Sequence, residues 1–225
     1  MTEADLHRAA HAGPSDPLLA NITKTIRTLH EAPIPEELKA FATEVGGSTG
    51  WGGPHFRKFL AYAKAEGFSR QPLLEGVDEL VARLERAAGQ LGEDRFCHFD
   101  LLADNLVLRK DGEVSIVDFE YTAPGQPLMD LAVLSMGCSL SPEEERNLLA
   151  SYLETLKVPE EQVYAFSALK VLAALRETLW GTTAELSKTS SLSLEEAAAY
   201  VDMNFAKLQT MRAEFEKLPV PEGRA

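Results

Sequence analysis

Cysteine and basic residues are scarce in this sequence. The chain of 225 residues has two cysteines, Cys97 and Cys138, which are too few for a disulfide scaffold and lack the spacing of a metal site. Its 22 Lys and Arg residues stand against 35 Asp and Glu residues, for a formal net charge of -13. This charge argues against nucleic acid or an anionic membrane as the main partner, because the long-range field has the wrong sign. It is compatible with a small cationic substrate, and a reduced, cytoplasmic setting is the simplest prediction.

Long apolar runs are missing as well. No stretch reaches the roughly 18 uncharged apolar residues that a membrane-spanning helix requires. Residues 1–20 lack the continuous apolar core of a signal peptide. The content of 45% hydrophobic and 25% charged residues is typical of a globular protein. The sequence therefore predicts a soluble protein without a membrane anchor.

Helical periodicity accounts for most of the chain. Apolar residues recur every three or four positions over six segments, which predicts helices. Ser141 and Ser193 are each followed three positions later by a glutamate, the pattern of a capping box at a helix start. The predicted helices cover residues 17–30, 55–66, 77–91, 142–156, 160–188 and 194–218.

The middle of the chain departs from this helical pattern. Two β-prone runs, residues 105–110 and 113–118, are separated by an Asp-Gly pair, which is a strong hairpin signal. A two-residue turn would place Asn105 opposite Asp118 at the open end of the hairpin. An amide oxygen and a carboxylate on adjacent strands are hard ligands that suit Mg²⁺.

The chemical motif lies on and beside this hairpin. His98, Asp100 and Asn105 form the pattern His-x-Asp-x-x-x-x-Asn, and Asp118 begins an Asp-Phe-Glu sequence after the second strand. The pattern resembles the catalytic and metal-binding segments of kinase-fold phosphotransferases. Four residue types at fixed spacing arise by chance in on the order of one chain in a thousand.

Further segments narrow the resemblance to one branch of this fold. The run Ile-Val-Asp-Phe-Glu-Tyr at residues 116–121, Gly-Gln-Pro at 125–127 and Asp-Leu-Ala at 130–132 are similar to the aminoglycoside phosphotransferase and choline/ethanolamine kinase superfamily. Protein kinases would instead carry Asp-Phe-Gly followed by an activation segment. The helix end at residues 29–33 and the segment 176–181 are also similar to bacterial choline-kinase-like proteins.

The resemblance implies a role for each residue of the motif. Asp100 resembles the catalytic base, and Asn105 and Asp118 resemble the metal ligands. His98 resembles the structural histidine that shapes the catalytic loop, and Asp130 the buried carboxylate that braces this loop. The implied cofactor is Mg²⁺, with ATP as co-substrate.

The resemblance also suggests an acceptor pocket. Choline-type kinases hold a quaternary ammonium group with aromatic faces and carboxylates. At Gly137, however, choline kinases tend to carry a glutamate that contacts substrate, so the cation cage is incomplete here. For Trp180 and Tyr200, ordinary core packing is an equally good interpretation. The predicted substrate-binding residues are Glu120, Tyr121, Glu177, Trp180 and Tyr200.

No nucleotide-binding lobe is recognisable before Arg95. We find neither a glycine-rich pair of strands nor a strand lysine there, and the glycine-rich segment 46–53 lacks the Gly-Lys-Ser/Thr ending of a phosphate loop. The predicted fold is therefore mainly α with a small β-hairpin, a protein-kinase-like C-terminal lobe without the β-rich N-terminal lobe. Residues 1–17 form a segment near the expected interlobe hinge, residues 18–218 the catalytic lobe and residues 219–225 a tail.

The leading hypothesis is an ATP- and Mg²⁺-dependent phosphotransferase. Its acceptor would be the hydroxyl group of a small, cationic molecule such as choline, ethanolamine or an aminoglycoside. The alternative is a catalytically inactive kinase-like lobe that binds a small molecule or a protein. A metal-dependent hydrolase using Asp100 and Asp118 is a weaker third hypothesis. A separate N-terminal lobe or self-association would cover apolar surface that such a lobe leaves exposed.

Overall fold

Helices make up most of the described chain, as predicted. The computed structural model describes residues 1–44, 53–66, 76–89, 93–187 and 192–222. The helices are α1 (Glu3–Ala12), α2 (Pro17–Glu31), α3 (Glu36–Glu44), α4 (Gly53–Ala65), α5 (Val77–Ala88), α6 (Leu128–Cys138), α7 (Pro142–Tyr152), α8 (Glu160–Ser187) and α9 (Leu194–Phe215). The strands are β1 (Arg95–Cys97), β2 (Leu106–Leu108), β3 (Val114–Ile116) and β4 (Ala123–Gly125). Within this part of the chain, none of the helices is both long and apolar enough to cross a membrane.

Capping chemistry fixes several helix starts. Capping boxes at Ser141 and Ser193 begin α7 and α9, which confirms the sequence signal. A third capping box, formed by Thr2 and Asp5, begins α1, which the sequence analysis did not predict. Leu6, Ala9 and Ala10 of α1 are fully buried, because this helix packs against α2 and α7.

Helix α6 escaped prediction because it has no polar face. Ten of its eleven residues are buried, so its sequence shows no amphipathic period. It packs against the long helix α8, which also packs against α4, α5 and α9. Gly181 of α8 permits the close approach of α9. A Cβ there would lie 2.9 Å from both Tyr200 Cδ1 and Val201 Cγ2.

The strands form two antiparallel pairs, β1 with β4 and β2 with β3. The hairpin exists, but the predicted register is wrong by one residue. Leu106 pairs with Ile116, and Val117 N donates to the carbonyl of Asn105, so Val117 rather than Asp118 lies opposite Asn105. The turn has three residues instead of two. Gly112 takes a left-handed φ of 84° at its end, which is the bulged arrangement that Asp-Gly also permits.

The described residues before Arg95 contain helices and no strand. This agrees with the predicted mainly helical, kinase-like lobe. The glycine-rich segment 46–53 lies outside the described residues except for Gly53. Apolar side chains are exposed on and next to the hairpin, at Val107, Leu108, Val117 and Phe119.

Candidate active site

The loop after β1 is anchored at its base by Asp130, the third residue of α6. The Asp130 carboxylate accepts hydrogen bonds from the backbone N–H groups of His98 and Phe99, both at 2.7 Å. Phe99 has a φ of 63°, in the left-handed region. Its buried ring leaves no room above Gly125, where a Cβ would lie 2.3 Å from Phe99 Cζ. This packing and the two bonds to Asp130 offset the strain at Phe99.

His98 ties the same loop to the hairpin. Its Nδ1 accepts a 3.3 Å hydrogen bond from the N–H of Asp100, so Nε2 carries the proton and donates to the Val117 carbonyl at 2.9 Å. The imidazole is fully buried and meets the ring of Phe119 edge to face, with centroids 5.0 Å apart. The structure thus places His98 and Asp130 beneath the loop, in positions to support it.

Asp100 follows this anchored turn and faces a pocket. Burial raises the pKa of its carboxyl group, and Arg176 opposes this shift from 3.7 Å. The Asn105 side-chain nitrogen donates to both the carbonyl (2.7 Å) and the carboxylate (3.2 Å) of Asp100. The loop thereby orients the Asp100 carboxylate toward the pocket and keeps it within reach of Asn105.

Asn105 and Asp118 offer oxygen atoms suited to a divalent cation. The side-chain nitrogen of Asn105 donates to Asp100, and its side-chain oxygen makes no hydrogen bond with the described residues. Asp118 is exposed, has a left-handed φ of 65°, and its carboxylate makes no hydrogen bond or ion pair in the described part of the chain. Two unengaged hard oxygens fit Mg²⁺, which takes a few protein ligands and completes its shell with water or phosphate. The residues present therefore fit the metal that the resemblance implies.

The pocket beside Asp100 has a volume of about 290 Å³. Trp180 and Tyr200 meet edge to face in its wall, with ring centroids 5.2 Å apart. Burial raises the pKa of Tyr121, whose hydroxyl interacts with Trp180. All five predicted substrate-binding residues are brought together here. The pocket is lined by Phe59, Asp100, Leu102, Glu120, Tyr121, Arg176, Glu177, Trp180, Leu192 and Tyr200.

Arg176 is a site residue that sequence reasoning gave no role. Its guanidinium is buried, donates to the carbonyl of Phe99 and binds Glu177 Oε1 at 2.6 Å. The other oxygen of Glu177 accepts a 2.6 Å hydrogen bond from Tyr200, whose pKa is raised by burial. Both oxygens of Glu177 are therefore engaged inside the protein. An Arg-Glu pair within the mostly apolar stretch 171–181 was the available sequence signal, because buried charges are normally paired.

Gly137 lies behind the pocket, where the sequence comparison expected a glutamate in choline kinases. A Cβ at this position would lie 2.8 Å from Cδ2 of Leu102, which lines the pocket. Leu102 therefore fills the space next to Gly137. The pocket is correspondingly more apolar on this side than a glutamate would make it.

The family of the chain follows from comparison with known proteins. The model of the phosphotransferase enzyme family matches residues 2–185, and the chain belongs to this family. This confirms the resemblance seen in the motif at residues 98–118. Curated protein sequences gave no significant match.

Several solved structures share this fold. A choline/ethanolamine kinase family protein from Mesorhizobium loti is 22% identical, with a TM-score of 0.67, over 96% of this chain and 68% of its own. An ethanolamine kinase from Plasmodium vivax is 17% identical, with a TM-score of 0.69, over 100% and 63%. Spectinomycin phosphotransferase, solved with ADP and spectinomycin, is 14% identical, with a TM-score of 0.52, over 89% and 65%. The chain thus spans about two thirds of the length of these relatives.

Proposed function

We propose that this chain is the catalytic lobe of an ATP- and Mg²⁺-dependent kinase that phosphorylates the hydroxyl group of a small cationic molecule. The observation that carries the proposal is the position of Asp100. Its partly buried carboxylate faces the 290 Å³ pocket on one side and contacts Asn105, a residue with an unengaged metal-type oxygen, on the other. A general base must reach the acceptor hydroxyl while the phosphate donor lies in line with it.

The transfer step assigns one task to each residue. The acceptor oxygen attacks the γ-phosphorus of ATP, its proton passes to an Asp100 carboxylate oxygen, and ADP leaves with the electrons of the broken P–O bond. Asp100 is held for this by Asn105 and by the anchored turn at Phe99. Mg²⁺ held by Asn105 and Asp118 would supply positive charge against the phosphate oxygens. Nothing in this step requires covalent attack by the protein.

The acceptor pocket favours a cation that carries apolar groups. Three aromatic residues of the pocket, Tyr121, Trp180 and Tyr200, can present negative ring faces to such a cation. Glu120 lines the same pocket, and its carboxylate makes no hydrogen bond or ion pair with the described residues. Glu177 is instead neutralised by Arg176. We therefore assign charge recognition to Glu120 together with Asp100, and positioning of the aromatic wall to Glu177.

A second candidate function is binding without transfer. It is favoured by the pocket, whose three aromatic rings and Glu120 can hold a small cation without any contribution from a nucleotide. Such a lobe would bind the same small cation in the same pocket. The two functions differ in whether phosphate is transferred.

Two measurements on the 225-residue chain separate these functions. In a Trp51→Phe background, Trp180 is the remaining tryptophan, and its fluorescence should change saturably with choline or ethanolamine. Mass spectrometry should then detect the phosphorylated alcohol after incubation with MgATP. Binding with transfer that is abolished in Asp100→Asn supports the kinase, and binding without transfer supports the second function. Failure to bind any of choline, ethanolamine and spectinomycin would contradict both.

A further inference from the structure

Behind the catalytic loop, a buried histidine from a distant helix contacts the residue that anchors the loop. His30, in the last turn of α2, is 3% exposed, and both of its ring nitrogens have partners. Nε2 lies 3.0 Å from Asp130 Oδ2, and Nδ1 lies 2.7 Å from the hydroxyl of Tyr152 at the end of α7. Three elements that are far apart in sequence therefore meet at this imidazole.

Asp130 depends on hydrogen-bond donors rather than on a Lys or Arg side chain. It is fully buried, and no Lys or Arg of the described chain lies within ion-pair distance of it. Its donors are the backbone N–H groups of His98 and Phe99 and the ring of His30. A buried carboxylate is costly unless such donors compensate for its lost water. His30 is the only side chain among these three donors.

The hydrogen bonds orient the imidazole of His30. A carboxylate oxygen accepts and a ring N–H donates, so His30 Nε2 donates to Asp130. The Tyr152 hydroxyl bonds His30 Nδ1, and burial raises the pKa of Tyr152. The two rings also meet edge to face, with centroids 5.7 Å apart. Tyr152 therefore orients the ring that donates to Asp130.

A metal site is the competing interpretation of this cluster. His30, Cys97 and Asp130 each offer a ligand atom, and these atoms lie within 4.8 Å of one another. However, both oxygens of Asp130 already accept backbone hydrogen bonds, and burial raises the pKa of the Cys97 thiol well above its usual range. The groups satisfy one another without an ion. The geometry favours a structural network that supports the loop.

We propose that His30, oriented by Tyr152, is a positioning residue: through Asp130 it holds the backbone turn at His98 and Phe99 in the geometry that presents Asp100 to the pocket. The catalytic part of this inference rests on the proposed function. The claim that His30 holds the turn does not rest on it, because hydrogen exchange of the His98 and Phe99 amides measures the stability of the turn directly. Loss of the His30 donor should loosen this turn more than it loosens the rest of the core.

Amide hydrogen exchange followed by NMR tests the proposal on the full chain. His30→Met removes both ring nitrogens, and we expect the His98 and Phe99 amides to exchange at least about tenfold faster, relative to core amides of α8. His30→Gln, whose amide can still donate to Asp130, should restore most of the protection. Tyr152→Phe removes a single hydroxyl and should speed exchange about threefold. The Tyr152→Phe variant still tests the proposal if His30→Met does not fold.

The matched control is Thr23→Val on the same helix. Thr23 is fully buried and its hydroxyl bonds Ser151 of α7 at 2.8 Å, so this variant also removes an α2–α7 hydrogen bond, but away from Asp130. It should leave the relative exchange of the loop amides unchanged. A uniform acceleration across the core in the His30 variants, or equal effects of Thr23→Val, would overturn the proposal. So would unchanged loop amides.

Transfer kinetics supply the second readout. If the chain transfers phosphate, Tyr152→Phe and His30→Gln should lower kcat, and the KM for the acceptor should stay within about twofold. An effect on KM alone would contradict a role in orienting Asp100. If the chain transfers no phosphate, the proposed function fails, and the exchange measurement still decides whether His30 holds the loop.

Discussion

The candidate catalytic loop and the wall of the pocket beside Asp100 are built in different ways. The loop and hairpin place His98, Asp100, Asn105 and Asp118 within 21 consecutive residues, by local turns and backbone hydrogen bonds. The pocket wall instead depends on α8 and α9, whose residues meet only through long-range packing. The geometry of the loop therefore depends on local hydrogen bonds. The shape of the pocket wall depends on the packing of α8 against α9.

The largest effect is expected from a substitution in the loop that leaves the pocket wall unchanged. We expect Asp100→Asn to lower phosphate transfer about 10³-fold, within the range typical of a lost general base. Asp104→Asn, at an exposed position in the same loop, should change transfer less than about twofold. Both rates are measured from phosphorylated product per unit time. A similar loss in both variants would show that the effect is not specific to Asp100.

The same variant should not lose stability. The pKa of Asp100 is raised in the fold, by burial first, so the ionised carboxylate opposes folding above that pKa and ceases to do so below its unfolded value. Asp100→Asn removes this cost at neutral pH. Its thermal midpoint at pH 7 should equal or exceed that of the original chain. A clear decrease would mean that Asp100 is needed for structure.

The next-largest effect is expected from a substitution at the contact between the loop and the pocket wall. Arg176 of the wall donates to the Phe99 carbonyl of the loop and binds Glu177, so Arg176→Met leaves a buried carboxylate without its cation. We expect a loss of about 3 kcal/mol in the free energy of unfolding, measured with urea. Arg109→Met is the control, because that arginine is 57% exposed and pairs with Asp111 on the hairpin turn. It should cost less than about 0.5 kcal/mol.

A smaller effect is expected from a substitution that lies in the pocket wall alone. Gly181→Ala would place a Cβ 2.9 Å from Tyr200 and Val201, so α9 must move away from α8. We expect a destabilisation of about 2 kcal/mol and weaker ligand binding, with the exchange of the loop amides preserved. Gly137→Ala meets only the end of the flexible Leu102 side chain, and should destabilise the fold less. Equal destabilisation would contradict the assignment of Gly181 to the helix contact.

The smallest effect lies outside both regions, at the contact of α1 with α7. His7 Nδ1 lies 2.8 Å from Glu144 and Nε2 lies 2.8 Å from the Cys138 carbonyl, so two acceptors favour the doubly protonated ring. The hydrogen bond to Glu144 raises the pKa of His7 above its usual 6.5. Its stabilising effect is full below pH 6.5 and is lost as the pH rises through the folded pKa.

Urea unfolding across this range checks the sign. The original chain should lose stability as the pH rises above 6.5, whereas His7→Gln should show a flatter profile. Glu144→Gln, which removes the other partner, should flatten the same part of the curve. A slope that persists in both variants would place the pH dependence elsewhere in the chain.

Prediction from sequence was accurate where a residue's role depends on its near neighbours. The capping boxes at Ser141 and Ser193 began helices as predicted, because a cap involves residues three positions apart. The hairpin was correctly found but its register was not. An Asp-Gly pair permits both two- and three-residue turns, and only the backbone hydrogen bond from Arg109 to Glu113 distinguishes them here.

The sequence by itself determined the family, the helical class and the polar residues of the candidate site. These rest on periodicity and on fixed spacing, which a linear pattern carries. Only the tertiary structure decided that Arg176 neutralises Glu177, that Leu102 fills the space beside Gly137 and that His30 meets Asp130 across 100 positions. Such contacts depend on which helix faces pack together. Residue identity along the chain does not specify that choice, since any buried polar group needs a partner but does not name it.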